Sequence, residues 1–181
     1  DGAISGKTLW RTDGTLIGTY KINALASSKL TLVGDSFFFT AEDPSNGWQL
    51  WKKDETLDGT VLVKKINTIE GASSVPKSLV AVGNLLYFTA DDGQLGRELW
   101  KSDGTALGTT MVRDIRFGDS SSSPDRLTAF GDLLYFIAND GNNGIELWKS
   151  NGTISGTQMV KNINDVADGS SSFPNLLTPM G

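Results

Sequence analysis

The 181-residue sequence contains no cysteine and no histidine. Their absence excludes disulfides, thiol nucleophiles, Cys- or His-ligated zinc and haem, and every mechanism in which an imidazole moves a proton near neutrality. Positive charge is also scarce. Lys and Arg number 16 against 21 Asp and Glu, a net charge of −5, which argues against an electrostatic grip on nucleic-acid phosphates or an anionic membrane. No run of about 18 apolar residues occurs, so no segment is expected to insert into a bilayer. The opening Asp1-Gly2-Ala3-Ile4-Ser5-Gly6 lacks the basic start and apolar stretch of a signal peptide. If the protein is exported, its signal is expected to have been removed or to lie outside this stretch.

What is abundant is small and turn-forming. Glycine accounts for 21 residues, and aromatics make up 9%, a composition suited to short strands joined by tight turns. The length fits one domain spanning residues 1–181. Within it the Leu-Trp pair recurs at Leu9-Trp10, Leu50-Trp51, Leu99-Trp100 and Leu147-Trp148, with the tryptophans 41, 49 and 48 residues apart. Three copies continue into a matching turn: Asp13-Gly14-Thr15, Asp103-Gly104-Thr105 and Asn151-Gly152-Thr153, each followed by a second Gly-Thr. The second copy reads Asp54-Glu55-Thr56 and lacks that glycine, which predicts an altered turn.

Four strand-like segments, a to d, fit between successive tryptophans. Gly34-Asp35, Gly83-Asn84 and Gly131-Asp132 separate apolar runs by two residues, a hairpin signal, because glycine adopts the positive φ of a type II′ turn without steric cost. Segment b, as in Leu133-Leu134-Tyr135-Phe136-Ile137-Ala138, is apolar on both sides rather than alternating, so both faces of each sheet are expected to be covered. A four-stranded antiparallel meander repeated every 40–50 or so residues is the pattern of a β-propeller. The expected fold is therefore all-β: four blades in one ring, or alternatively half of an eight-bladed ring. A flat stack of sheets would need polar caps that the sequence does not display.

Glu98-Leu99-Trp100-Lys101-Ser102-Asp103-Gly104-Thr105 and Glu146-Leu147-Trp148-Lys149-Ser150-Asn151-Gly152-Thr153 resemble the ELWxxDGT repeat of large secreted or surface proteins of bacteria. The likeness extends over essentially the whole chain and is weakest in the second copy, where Trp48-Gln49-Leu50-Trp51 replaces Glu-Leu-Trp. The resemblance implies an extracellular or cell-surface location and a repeat architecture, and it is nearly silent on activity.

Counting segments gives 15 of the 16 strands that four complete blades need, because the b strand between the last a, ending at Pro179, and the first c is absent. Leu176, Leu177 and Thr178 on one side and Thr8 and Leu9 on the other would border an empty lane. Buried unpaired backbone groups cost roughly 1–3 kcal/mol each, so adjoining repeats or a second protomer are expected to supply the strand, as in β-strand addition.

Trp10, Trp51, Trp100 and Trp148 could stack on sugar rings, but their recurrence at one place in the repeat favours blade packing, where each would bury about 150–250 Å². Trp48 breaks the repeat and is the candidate ligand-stacking aromatic, against an edge role in its own blade. The loops Asp91-Asp92-Gly93 and Asn139-Asp140-Gly141 supply too few oxygens for a calcium-loop motif, so calcium is left open and no other cofactor is implied. Asp13 and Asp103 read as Asx-turn residues, and Asn151-Gly152-Thr153 as a turn that matches a glycosylation sequon by accident. A hydrolytic carboxylate pair has no support in the spacing of Glu42, Asp43, Glu55, Asp58 and Glu70. Lys64, Lys65 and Arg113 read as charges guarding an outer edge. The expected role is a non-catalytic extracellular structural and assembly module, a fibre or surface-layer subunit joined by a donated β-strand, that associates with itself or with adjoining repeats. The alternative is a lectin-like module whose partners are glycans.

Overall fold

A computed structural model describes residues 9–12, 14–22, 30–53, 60–164, 169–175 and 177–178. Among the described residues there is no helix. Fourteen strands follow one another: β1 (Leu9–Arg11), β2 (Tyr20–Ile22), β3 (Thr31–Val33), β4 (Ser36–Asp43), β5 (Gly47–Lys53), β6 (Thr60–Lys64), β7 (Lys77–Val82), β8 (Leu85–Asp91), β9 (Arg97–Ser102), β10 (Thr110–Arg113), β11 (Asp125–Phe130), β12 (Leu133–Asn139), β13 (Ile145–Ser150) and β14 (Gln158–Lys161). They form sheet I (β1-β2) and three four-stranded antiparallel meanders, sheet II (β3 to β6), sheet III (β7 to β10) and sheet IV (β11 to β14).

The expected hairpins are present. Gly34, Gly83 and Gly131 take φ of 56°, 56° and 58°, and the turns they open join Val33 to Ser36, Val82 to Leu85 and Phe130 to Leu133 in register. The same register sets Phe39 opposite Trp51, Phe88 opposite Trp100 and Phe136 opposite Trp148. β4 and β8 are buried on both sides along their centres, as an unbroken apolar run requires, whereas β12 is closed on one side and partly open at Leu133 and Tyr135 on the other.

Successive sheets pack face to face. One core cluster joins Val33, Phe38, Leu50, Val63 and Ile66 of sheet II and its following loop to Leu86, Phe88, Ala90 and Trp100 of sheet III. The next joins Val82, Tyr87, Leu99, Val112 and Ile115 to Leu134, Phe136, Ala138 and Trp148 of sheet IV. The first strands of these sheets, β3, β7 and β11, lie side by side. Each sheet thus has a forward face, toward the next sheet in the chain, and a backward face that carries its tryptophan.

The fifteenth strand differs from expectation. Leu176 and Pro179 fall outside the described residues, and Leu177 and Thr178 run as irregular backbone. Thr8 and the turn after Trp51, residues 54–59, also lie outside the described residues. Leu9 pairs with Ile22 in β1.

Candidate functional site

The inter-sheet joint recurs along this chain, and its parts are specific. At the tips of three c–d turns a glycine with φ near +90° leaves a socket: Gly14 (90°), Gly104 (88°) and Gly152 (84°). A methyl group at Gly104 would press on the Phe38 ring and the Lys52 stem, and one at Gly152 would run into the Tyr87 hydroxyl and the Lys101 stem. The aromatic knob and its lysine are cross-strand partners, Phe38 with Lys52 and Tyr87 with Lys101. Polar bonds lock the seat: Lys101 Nζ donates to the Gly152 carbonyl at 2.8 Å, Lys64 Nζ to that of Thr109 at 2.7 Å, and the Arg113 guanidinium to that of Thr157 at 2.6 Å. Arg113 also lies 5.9 Å over the Trp148 ring. Lys64 and Arg113 therefore do more than guard an edge, and Lys65 lies just beyond β6.

A second device ties sheets II, III and IV to the serine-rich segments that follow them. Glu98 is fully buried, and its carboxylate accepts hydrogen bonds from the Ser122 amide (2.7 Å), the Ser122 hydroxyl (2.5 Å) and the Ile115 amide (3.1 Å). Glu146 repeats this with the Ser172 amide, the Ser172 hydroxyl and the Ile163 amide. In sheet II the residue is Gln49, whose Oε1 accepts from Ser74 while its Nε2 donates to the Asn46 carbonyl. Burial pushes the Glu98 carboxyl up to about 7 and Asp114 adds repulsion, although the bonds from Ser122 and Ile115 favour the ionised form. These carboxylates were visible in the repeat but received no role. The signal that could have found them is the pairing of Glu or Gln, two residues before Trp, with a serine 24 to 26 residues later.

The remaining sequence candidates fall into place around these devices. Trp100 and Trp148 are buried between sheets, Trp51 is half-buried on the backward face of sheet II, and Trp10 is 59% exposed on sheet I. Trp148 stacks on Phe136 with ring centroids 6.5 Å apart. Among the described residues the buried indole N–H groups of Trp51, Trp100 and Trp148 have no hydrogen-bond partner, a cost that the packing of the rings must offset. Trp48 is half-buried; it occupies the position of Arg97 and Ile145, and all three donate their amide to a serine hydroxyl, Ser73, Ser121 and Ser171. Its backbone is thus part of the repeat even though its ring is not.

Asp103 and Asn151 accept the amide and hydroxyl of the threonine two residues on, which is the Asx-turn geometry. Asp13 lies outside the described residues. In the b–c turns Asp43, Asp92 and Asp140 each cap two backbone amides. The amide of Ser45 holds the Asp43 carboxyl below its usual range. Among the described residues no three acidic side chains converge as metal ligands would, and Glu55 and Asp58 are not among them.

Comparison with protein-family models, with curated proteins and with solved structures gives no match. Function must then be argued from the joint itself, and from where it is left open. On the forward face of sheet IV, Phe130, Val160 and Ile163 stand where Val82, Val112 and Ile115 are buried on sheet III. Val160 is 46% exposed and Ile163 53%, against 2% for Val112 and 6% for Ile115. Tyr135 and Leu147 are half-buried where Tyr87 and Leu99 are closed off. At the other end of the series, Gly14 is exposed and, among the described residues, nothing fills its socket, whereas Gly104 and Gly152 are buried.

Proposed function

We propose that this chain is a non-catalytic, extracellular assembly module of the ELWxxDGT-repeat kind, its sheets arranged as the blades of a propeller. The observation that carries the reading is the contrast between two closed inter-sheet joints and two open half-joints of the same composition. Contiguous exposed apolar surface of this sort marks interaction sites in soluble proteins. Four sheets forming one ring, or eight sheets from two chains, would each cover it.

The chemistry on the page favours a scaffold over a catalyst. The two buried glutamates, Glu98 and Glu146, are each engaged by three donors and hold connecting segments. Sheet I, with two described strands against four in the other sheets, is where a strand donated by an adjoining repeat or protomer would lie.

Negative-stain imaging of the purified chain together with a glycan array tests the proposal. The expected result is ordered assemblies with no sugar specificity. Soluble monomers that bind a defined glycan would replace it with the lectin-like reading, in which Trp48 and the b–c loops form the contact.

A further inference from the structure

We infer that the forward face of sheet IV is a docking site for sheet I of a second copy of this chain, with Tyr135 and Lys149 seated over Gly14. The inference rests on the assembly reading and names its partner and contact.

Three features support it. The first is continuity with an interface the chain already makes twice. Phe38 with Lys52 fills the Gly104 socket and Tyr87 with Lys101 fills that of Gly152; Tyr135 and Lys149, paired opposite each other across β12 and β13, form the third knob in the same register. That knob has no following sheet among the described residues, and Tyr135 instead meets Phe130 of its own sheet, centroids 6.4 Å apart.

The second is the matching socket. Gly14 has the φ of its two counterparts, and a Cβ built there meets nothing within 4 Å. Around it the turn has the internal bonding of the filled turns. The Thr12 and Thr19 hydroxyls meet at 2.7 Å, as do Ser102 with Thr109 and Ser150 with Thr157, and Thr19 Oγ1 donates to the Thr15 carbonyl as Thr109 does to Thr105. The socket is therefore built before it is filled.

The third is polar complementarity. Lys161 stands where Lys64 and Arg113 stand in sheets II and III, whose cations bond the turn carbonyls of Thr109 and Thr157. The corresponding acceptor on sheet I is the carbonyl of Thr19. Lys149 would bond the Gly14 carbonyl as Lys101 bonds that of Gly152.

A joint between unlike faces is heterologous, so it generates a closed ring or an open filament according to the rotation per copy. Two copies would bring the sheet count to eight.

Sedimentation velocity across a concentration series tests the docking. The chain should self-associate, and Val160→Lys, at a half-exposed position on the forward face, should weaken association about 30-fold or more, the loss typical of an interface hot spot. Tyr135→Asp should do the same. Thermal unfolding of each variant checks that the fold is kept, and Val160→Lys carries the test if Tyr135→Asp does not fold. Trp10→Lys should block the opposite face. Mixing Trp10→Lys with Val160→Lys should give dimers and nothing larger, because one open face of each kind remains. If the chain associates and Val160→Lys associates equally tightly, the assembly reading stands and this docking face is wrong. A chain that stays monomeric at every concentration, its own sheet I covering sheet IV or neither covered, overturns both.

Discussion

The forward faces of sheets III and IV carry nearly the same residues in the same register: Tyr87, Leu99, Val112 and Ile115 on one, Tyr135, Leu147, Val160 and Ile163 on the other. The first set is closed off by the next sheet and the second is half open. A strand's apolar pattern therefore records a demand for a neighbour, and only the neighbour converts that demand into stability. The difference between the faces is thus a measure of how much one inter-sheet joint contributes.

Paired truncations would read that measure directly. Leu99→Ala empties a fully buried site and should lower unfolding stability by about 2–5 kcal/mol. Leu147→Ala, at the equivalent half-open site, should lower it by less than half as much, provided that urea unfolding is followed at concentrations where the chain is monomeric. Equal losses would mean that the sheet IV face is covered within a single chain, and the contrast between the two faces would collapse.

A smaller effect separates sheet III from sheet II, where Glu98 and Gln49 hold equivalent connections. Burial raises the Glu98 carboxyl from 4.5 to about 7 in the folded chain. The folded state then retains a proton that the unfolded state has released, so this contribution to stability is fully present below pH 4.5. It declines as pH rises through about 7. After allowance for solvent screening the change is on the order of 2 kcal/mol. Glu98→Gln, which copies the residue of sheet II, should flatten the stability profile between pH 4.5 and 7 relative to the unsubstituted chain. A parallel slope in both proteins would show that the Glu98 carboxyl does not titrate in this window.

Much of the fold was legible because its signals are local. The Gly-Asp and Gly-Asn hairpins, the two-sided apolar b strands and the recurring Leu-Trp pair each lie within a few residues, and they yield the meander order of sheets II to IV. The latch was not legible as a contact, because Glu98 and Ser122 are 24 residues apart. The connections also hide a backbone device. Val75, Ser123 and Phe173, at equivalent places, adopt φ of 42°, 49° and 47°, a left-handed conformation for which residues of these types give no sequence signal. The sockets were half legible: the glycines stood out as turn residues, but nothing nearby in sequence says that an aromatic from the preceding sheet fills the space they leave. Lys64 and Arg113 do lie on edge strands, but their bonds to the next sheet were not legible for the same reason, since their acceptors sit 45 and 44 residues away.

The finest contrast is between the turns of sheets III and IV, where Asn151 stands in the place of Asp103 and only Ala106/Ile154 and Leu107/Ser155 also differ. Asp103 Oδ1 accepts the Thr105 amide at 2.8 Å and its hydroxyl at 2.7 Å; Asn151 Oδ1 accepts those of Thr153 at 3.0 and 2.7 Å. The Thr105 amide holds the Asp103 carboxyl below its ordinary 3.8, with Lys52 adding attraction. Asn151→Asp recreates that arrangement beside Lys101, and the charge strengthens both hydrogen bonds. Because the site is exposed, stability at neutral pH should change by no more than about 0.5 kcal/mol, in the stabilising direction. The sign then depends on pH. A carboxylate whose folded pKa is depressed contributes above its unfolded value and loses that contribution as pH falls through the folded one. Any advantage of Asn151→Asp over the unsubstituted chain in thermal unfolding at pH 6 should therefore shrink as pH falls below the carboxyl's ordinary 3.8. An effect that persists there would mean that the turn uses the side chain's shape rather than its charge, and the two turns would be interchangeable for a different reason.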